Sequence, residues 1–254
     1  MVKGLDVFRA YFAGHADQFV LIGGTAATLA MEDAGLEFRS TKDLDIVLHI
    51  EALHAAFGEM FWKFVEEGGY EIREMSNTGK PVFYRFQKPT DEHFPVMLEL
   101  FCRAPDGIKL AEGSHLTPIP IDEAVASLSA ILLDDDYYAF IMAGRRESEG
   151  LPWVGEDRLI PLKANAWLDL SARRAAGEAV DAKNIRKHAN DVLRLSQLLA
   201  PGVRIAVAAR IADDLNRFLD NVSTDHALDP KSLKLNNTVA EIAQRIAQAY
   251  ELTR

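Results

Sequence analysis

In the stretch RSTKDLDIVL, residues 39–48, two aspartates stand one residue apart in a run that otherwise reads as a buried strand. A carboxylate is expensive to bury unless it finds a partner, a proton or a metal. Successive side chains of a strand alternate faces, so Asp43 and Asp45 point the same way, about 6–7 Å apart, while Leu44 and Ile46 turn into packing. Two like charges so placed repel one another unless a cation sits between them. The later run VMLELFC sets Glu99 between Leu98 and Leu100. If the two strands are neighbours, three carboxylates converge. Hard oxygen ligands in that number suit Mg²⁺, which keeps open positions for water and substrate phosphates.

Upstream, Gly23 and Gly24 fall at the junction between an expected strand, QFVLIGG, and an expected helix, TAATLAMEDAG. Glycines at such a junction let the backbone approach a phosphate, and the helix start adds free N–H groups and the positive end of its dipole. The Thr25 hydroxyl is placed to reach a phosphate oxygen. The pattern has neither the lysine of a P-loop nor the third glycine of a dinucleotide fingerprint. A Gly-Gly-Thr alone also makes an ordinary turn, and its weight comes from the Asp-x-Asp strand that follows.

The elements that must position these residues form a mixed α+β plan followed by a helical one. Residues 4–14 and 50–69 read as amphipathic helices, YEIREM and PVFYRFQK as a hairpin, and IDEAVASLSAILL as a further helix. Pro118 and Pro120 frame an edge strand, and residues 136–157 read as a strand, a polar loop and a return. After about residue 160 the texture becomes helical, with four helices separated by Gly, Pro and Asn/Asp breaks. Two domains are expected, an α+β core over 1–160 and a C-terminal helical bundle over 161–254.

The chain has 254 residues, 48% hydrophobic and 26% charged, an ordinary composition for a packed soluble protein. Its formal net charge of −10 argues against a duplex nucleic-acid binder that works by blanket phosphate neutralisation. The charge is uneven. Residues 1–160 carry 14 Lys and Arg against 27 Asp and Glu, and residues 161–254 carry 14 against 11. An acidic half and a mildly basic half suit the binding of a metal-bound polyanion. The single cysteine, Cys102, excludes an internal disulfide, and a reducing cytoplasm is the expected location. No signal-peptide core opens the chain, and the longest apolar run is too short to span a bilayer.

LIGGTAATLA, RSTKDLDIVL and MLELF together resemble the nucleotidyltransferase signature. The run Arg39-x-Thr41-x-Asp43-x-Asp45 is similar to that of the AbiEii-type nucleotidyltransferases, toxins of type IV toxin–antitoxin systems. LIPLKANAWLDLSARR, with Lys163, is similar to that family's lysine-bearing helix, and IRKHANDVLRL to its closing helix. The likeness covers about residues 18–200. It departs in having seventeen residues between Thr25 and Asp43, a longer connection, and in having His188 where the family places an acid. The resemblance implies a nucleotidyltransferase-like core and transfer of a nucleotidyl group from an NTP with two Mg²⁺ ions. Asp43, Asp45 and Glu99 would hold metal, with Glu99 helping to activate the acceptor. Gly23, Gly24, Thr25, Arg39, Thr41 and Lys163 would meet the nucleotide. The acceptor would be an RNA, such as a tRNA 3′ end, or a protein, and a cognate antitoxin protein the partner.

On the helix near 183–199, Ile185, Ala189, Val192, Leu195 and Leu199 make a core face, with Lys183, Lys187, Asp191 and Arg194 opposite. That ridge could meet phosphate or RNA; its blander reading is a solvated face with a Lys187–Asp191 ion pair. The run Asp134-Asp135-Asp136 reads as a solvated loop, Cys102 as a small core residue, and His188 as a surface residue. Two other functions stay open. One is a small-molecule, aminoglycoside-type nucleotidyltransferase, and the other a catalytically inactive module that binds an NTP or a partner.

Overall fold

The computed structural model describes residues 2–74, 83–105, 116–118, 129–225 and 227–253. The architecture is α+β, with a mixed sheet flanked by helices and a helical C-terminal part. Contacts divide the chain into two compact units, residues 1–32 with 37–154, and residues 33–36 with 155–254. Each is described on its own.

In the first unit α1 (Leu5–Phe12) leads to β1 (Phe19–Ile22), α2 (Gly23–Asp33), β2 (Asp43–Leu48) and α3 (Ala55–Gly68). The strands β3 (Glu71–Glu74), β4 (Phe83–Gln87), β5 (Met97–Cys102), β6 (Leu116–Pro118) and β7 (Ser129–Leu132) follow. Then come α4 (Asp135–Ala143), β8 (Arg145–Ser148) and β9 (Leu151–Val154). The sheet runs β3-β4-β5-β2-β1-β9-β8, with β7 beside β5 and β6 beside β7. β2 and β5 are parallel, and both β1–β2 and β4–β5 are antiparallel.

Register sorts the side chains onto two faces. Leu44, Leu98 and Phe86 lie in one cross-strand row, and all three are buried. The Phe86 ring meets the ring of Phe61 edge-on at 5.3 Å, so α3 packs on this face. Phe8, Phe12, Phe19, Phe57 and Phe64 complete an aromatic core between α1, α3 and the sheet, with Phe8 edge-on to Phe64 at 5.6 Å. The opposite row, Asp45, Glu99 and Arg85, therefore faces away from that core.

The second unit holds α5 (Glu156–Ala175), α6 (Ala182–Leu195), α7 (Ala209–Ser223) and α8 (Val239–Ala249). α5 packs on α6 and α7, where Trp167 meets Phe218 edge-on at 5.5 Å. Thr238 and Glu241 form a reciprocal capping box at the start of α8, and the Asp181 side chain caps α6. No helix among the described residues is long and apolar enough to cross a membrane.

Two expected elements differ. Residues 136–143, expected as a strand, lie in α4, whose start Asp134 caps by accepting from the Asp136 N–H at 3.1 Å. The Asp run is thus a helix start, with acids favourable in the first turn. Residues 129–132, expected at the end of a helix, form β7, because pairing with β5 overrides their local preference. The rest of that expected helix, residues 121–128, and Pro120 lie outside the described residues.

Phe61 is fully buried, with rings of Phe12 and Phe57 each 6.2 Å away. Phe61→Ala should cost about 3–5 kcal/mol of unfolding free energy by chemical denaturation, the usual loss for an aromatic ring deleted from a tight core.

Candidate active site

Asp43 opens β2 and Asp45 follows on the same face, each half-buried beside fully buried Leu44 and Ile46. Leu44 and Ile46 anchor the strand in the core, which leaves the intervening acids no choice of face. Asp45 pairs across to Glu99 on β5 in one direction and to Ile22, the last residue of β1, in the other. The chain turns there into α2 through Gly23, whose φ of +68° is a left-handed conformation that L side chains rarely adopt. A Cβ on Gly23 would fall 1.7 Å from Asp45 Oδ2. The carboxylate thus occupies the volume that the missing side chain leaves. At Gly24 a Cβ would fall 2.5 Å from Thr41 Oγ1 and 3.7 Å from an Arg39 guanidinium nitrogen. The structure therefore gathers Gly23, Gly24, Arg39, Thr41 and Asp45 in one place.

Thr25 has a different task from the one expected. It is fully buried, and its hydroxyl donates to the backbone carbonyl of Asp43 at 2.8 Å. That bond ties the first turn of α2 to the start of β2, so Thr25 sets the distance between the glycine turn and the acids.

Glu99 also differs. The register places it between Asp45 on β2 and Arg85 on β4. A carboxylate between an acid and a guanidinium turns to the guanidinium. Arg85 donates from Nε and forms an ion pair from Nη2, both to Glu99 Oε1. Among the described residues, no three acidic, histidine or cysteine side chains come together as a group that could hold a metal ion. The donors that fit a hard cation are Asp43 and Asp45, which share a face and supply only oxygen. Arg85 is the site residue the sequence reading missed. Its alternation with Tyr84 and Phe86 puts it on the acid face, but only the neighbour relation of β4 and β5 reveals that.

Lys163 and Asp191 depart most from expectation. Lys163 is 5% exposed and Asp191 is fully buried, and Lys163 Nζ stands 3.3 Å from Asp191 Oδ2. The pair joins α5 to α6 inside the second unit. Lys163 is not an exposed phosphate contact, and Asp191 is not part of a solvated ridge with Lys187. Lys183 is exposed in the first turn of α6, where its N–H bonds the capping Asp181 at 2.9 Å, and Lys187 is half-buried one turn on. His188 is half-buried rather than a surface residue.

Cys102 is fully buried, and burial pushes its thiol up to about 12, with the nearby Glu51 charge adding to the effect. A thiol so held stays protonated, as a core residue does. Beyond the C-terminal end of β2, Glu51 accepts from the Tyr138 hydroxyl at 2.7 Å and from Arg103 Nε at 3.0 Å. Burial opposes the charge there, but these bonds outweigh it and hold the Glu51 carboxyl below its ordinary range.

A buried ion pair broken from one side leaves an uncompensated charge, at a cost of about 3–5 kcal/mol. Asp191→Ala should lower unfolding free energy by that amount, and Lys163→Met with Asp191→Leu together should cost less than Asp191→Ala alone. A double variant that costs as much as Asp191→Ala or more, measured by urea denaturation, would contradict this account of the pair.

No protein-family model matches this chain, and no curated protein does. Among solved structures, an antigenic nucleotidyltransferase-like protein from Paracoccidioides brasiliensis aligns with 86% of this chain and 88% of its own, at 14% identity and a TM-score of 0.42. JHP933 from Helicobacter pylori aligns with 97% of this chain and 88% of its own, at 18% identity and a TM-score of 0.34. Scores of this size describe a loose similarity of chain path and carry no weight for the site.

Proposed function

We propose that the protein transfers a nucleotidyl group from an NTP, with Asp43 and Asp45 holding a divalent cation and the Gly23–Gly24 turn receiving the triphosphate. The observation that carries this reading is the contact of the Asp45 carboxylate with Gly23 at the start of α2. A polyphosphate drawn to the free N–H groups of that helix start comes to lie beside the Asp45 carboxylate, which repels it. Two anions at that separation call for a cation between them, and two carboxylates on one strand face are suited to hold it. A divalent cation there would supply charge neutralisation for the phosphates and the leaving pyrophosphate. The chain's own groups bind and orient. Gly23 and Gly24 admit the phosphates, Arg39 and Thr41 border the turn, and Thr25 fixes the acids against it. The acceptor hydroxyl attacks the α-phosphorus, its O–P bond forms as the bond to pyrophosphate breaks, and its proton leaves to solvent.

The resemblance of Arg39-x-Thr41-x-Asp43-x-Asp45 to the AbiEii-type toxins supports an RNA acceptor, such as a tRNA 3′ end, or a protein acceptor, in a cytoplasmic setting with a cognate antitoxin. An aminoglycoside-type acceptor uses the same chemistry. One observation favours a second reading, an inactive module that binds an NTP or a partner: Glu99 is committed to Arg85 and is no open base.

Incubation with Mg²⁺, each α-labelled NTP, and total RNA or protein extract tests the proposal. The wild-type chain should label an acceptor, and Asp45→Asn should reduce labelling about 100–1000-fold with an unchanged circular dichroism spectrum, in keeping with loss of a metal-binding electrostatic group. Labelling undiminished in Asp45→Asn would remove the metal role. NTP binding without any labelling would leave the inactive module.

A further inference from the structure

We infer that Arg85 stands in for a second cation, so that the site takes one divalent ion, on Asp43 and Asp45, and Glu99 is held out of the metal's coordination. The inference rests on the metal reading proposed above and concerns how that site is charged.

Three adjacent strands bring Arg85, Glu99 and Asp45 into one cross-strand row, each directly opposite the next. Paired residues share a face, with strands spaced about 4.8 Å apart. Glu99 is therefore the middle charge of a positive, negative, negative series. Its side chain is 13% exposed and that of Arg85 is 28% exposed, so water screens the pair less than it would at the surface. Two guanidinium nitrogens converge on one carboxylate oxygen, Oε1. Arg85 also lies over the Tyr84 ring, 5.8 Å from its centroid, which helps to fix the side chain.

A divalent ion that sought Glu99 would have to displace this guanidinium. The freed cation would remain one strand away, facing a second cation across an emptied contact. Arg85 is a positioning residue, acting on the site through Glu99.

Mn²⁺ titration by calorimetry, with bound Mn²⁺ counted by electron paramagnetic resonance, tests this on the full chain. The wild-type protein should bind one ion, and Asp43→Asn should weaken that binding at least tenfold. Glu99→Gln, which keeps an oxygen acceptor for Arg85, should leave one ion bound, since the residue is no ligand. Arg85→Gln should add a second ion or tighten binding at least tenfold. Adding Glu99→Gln to Arg85→Gln should reverse the gain, and Arg85→Lys should keep one ion, a pattern that a merely structural salt bridge would not produce. Loss of Mn²⁺ in Glu99→Gln, or two ions in the wild-type chain, would overturn the inference while leaving the metal reading intact. A wild-type chain that binds no Mn²⁺ would overturn both.

Discussion

The contact between Asp45 and Gly23 is the constraint on which the site depends. A carboxylate oxygen rests where any other residue at position 23 would carry its Cβ, and the φ of +68° there independently favours glycine. The sheet makes the contact possible by pairing Ile22 with Asp45, which delivers the end of β1 to the acid. The Thr25 bond to the Asp43 carbonyl then holds the first turn of α2 against β2. An anion at a helix N-terminus gains about 0.3–1 kcal/mol from the dipole, so Asp45 is stabilised in the absence of any ligand. The same helix start is what would draw a phosphate, and the cation of the proposed function would lie between the two anions.

Electrostatics on the acid face follow from strand order rather than from the acids alone. β5 lies between an acidic neighbour, β2, and a basic one, β4, and Glu99 takes the basic side. The result is an asymmetric acid face, with the β5 carboxylate neutralised from within the protein, and the metal of the proposed function would fall to the carboxylates of β2. The second unit shows the same economy at Lys163 and Asp191, where two ionised groups absent from the surface satisfy each other between α5 and α6.

Much of the acid face was legible in the sequence because strand alternation is local. The flanking Leu44, Ile46, Leu98 and Leu100 fix the direction of Asp43, Asp45 and Glu99 without any knowledge of the fold. Arg85 has the same periodicity, but its meaning depends on which strand lies beside β5, a tertiary fact. Asp191 was misplaced for a related reason. Helical spacing assigns it to the polar side of α6, and only its partner on α5 explains an acid at zero exposure. The aromatic run in α4 has strand-like composition, and the Asp134 cap ahead of it is the signal that favours helix. In β7 the reverse holds, since its pairing with β5 could not be read from Ser129–Leu132 alone.

The most direct measurement is a crystal structure of the protein with Mn²⁺ and a non-hydrolysable NTP analogue, the ion located by its anomalous scattering. One ion bridging Asp43 and Asp45, with the triphosphate at the Gly23–Gly24 turn and Glu99 still on Arg85, is the predicted result. A nucleotide bound away from that turn, or an ion held by neither aspartate, would contradict it.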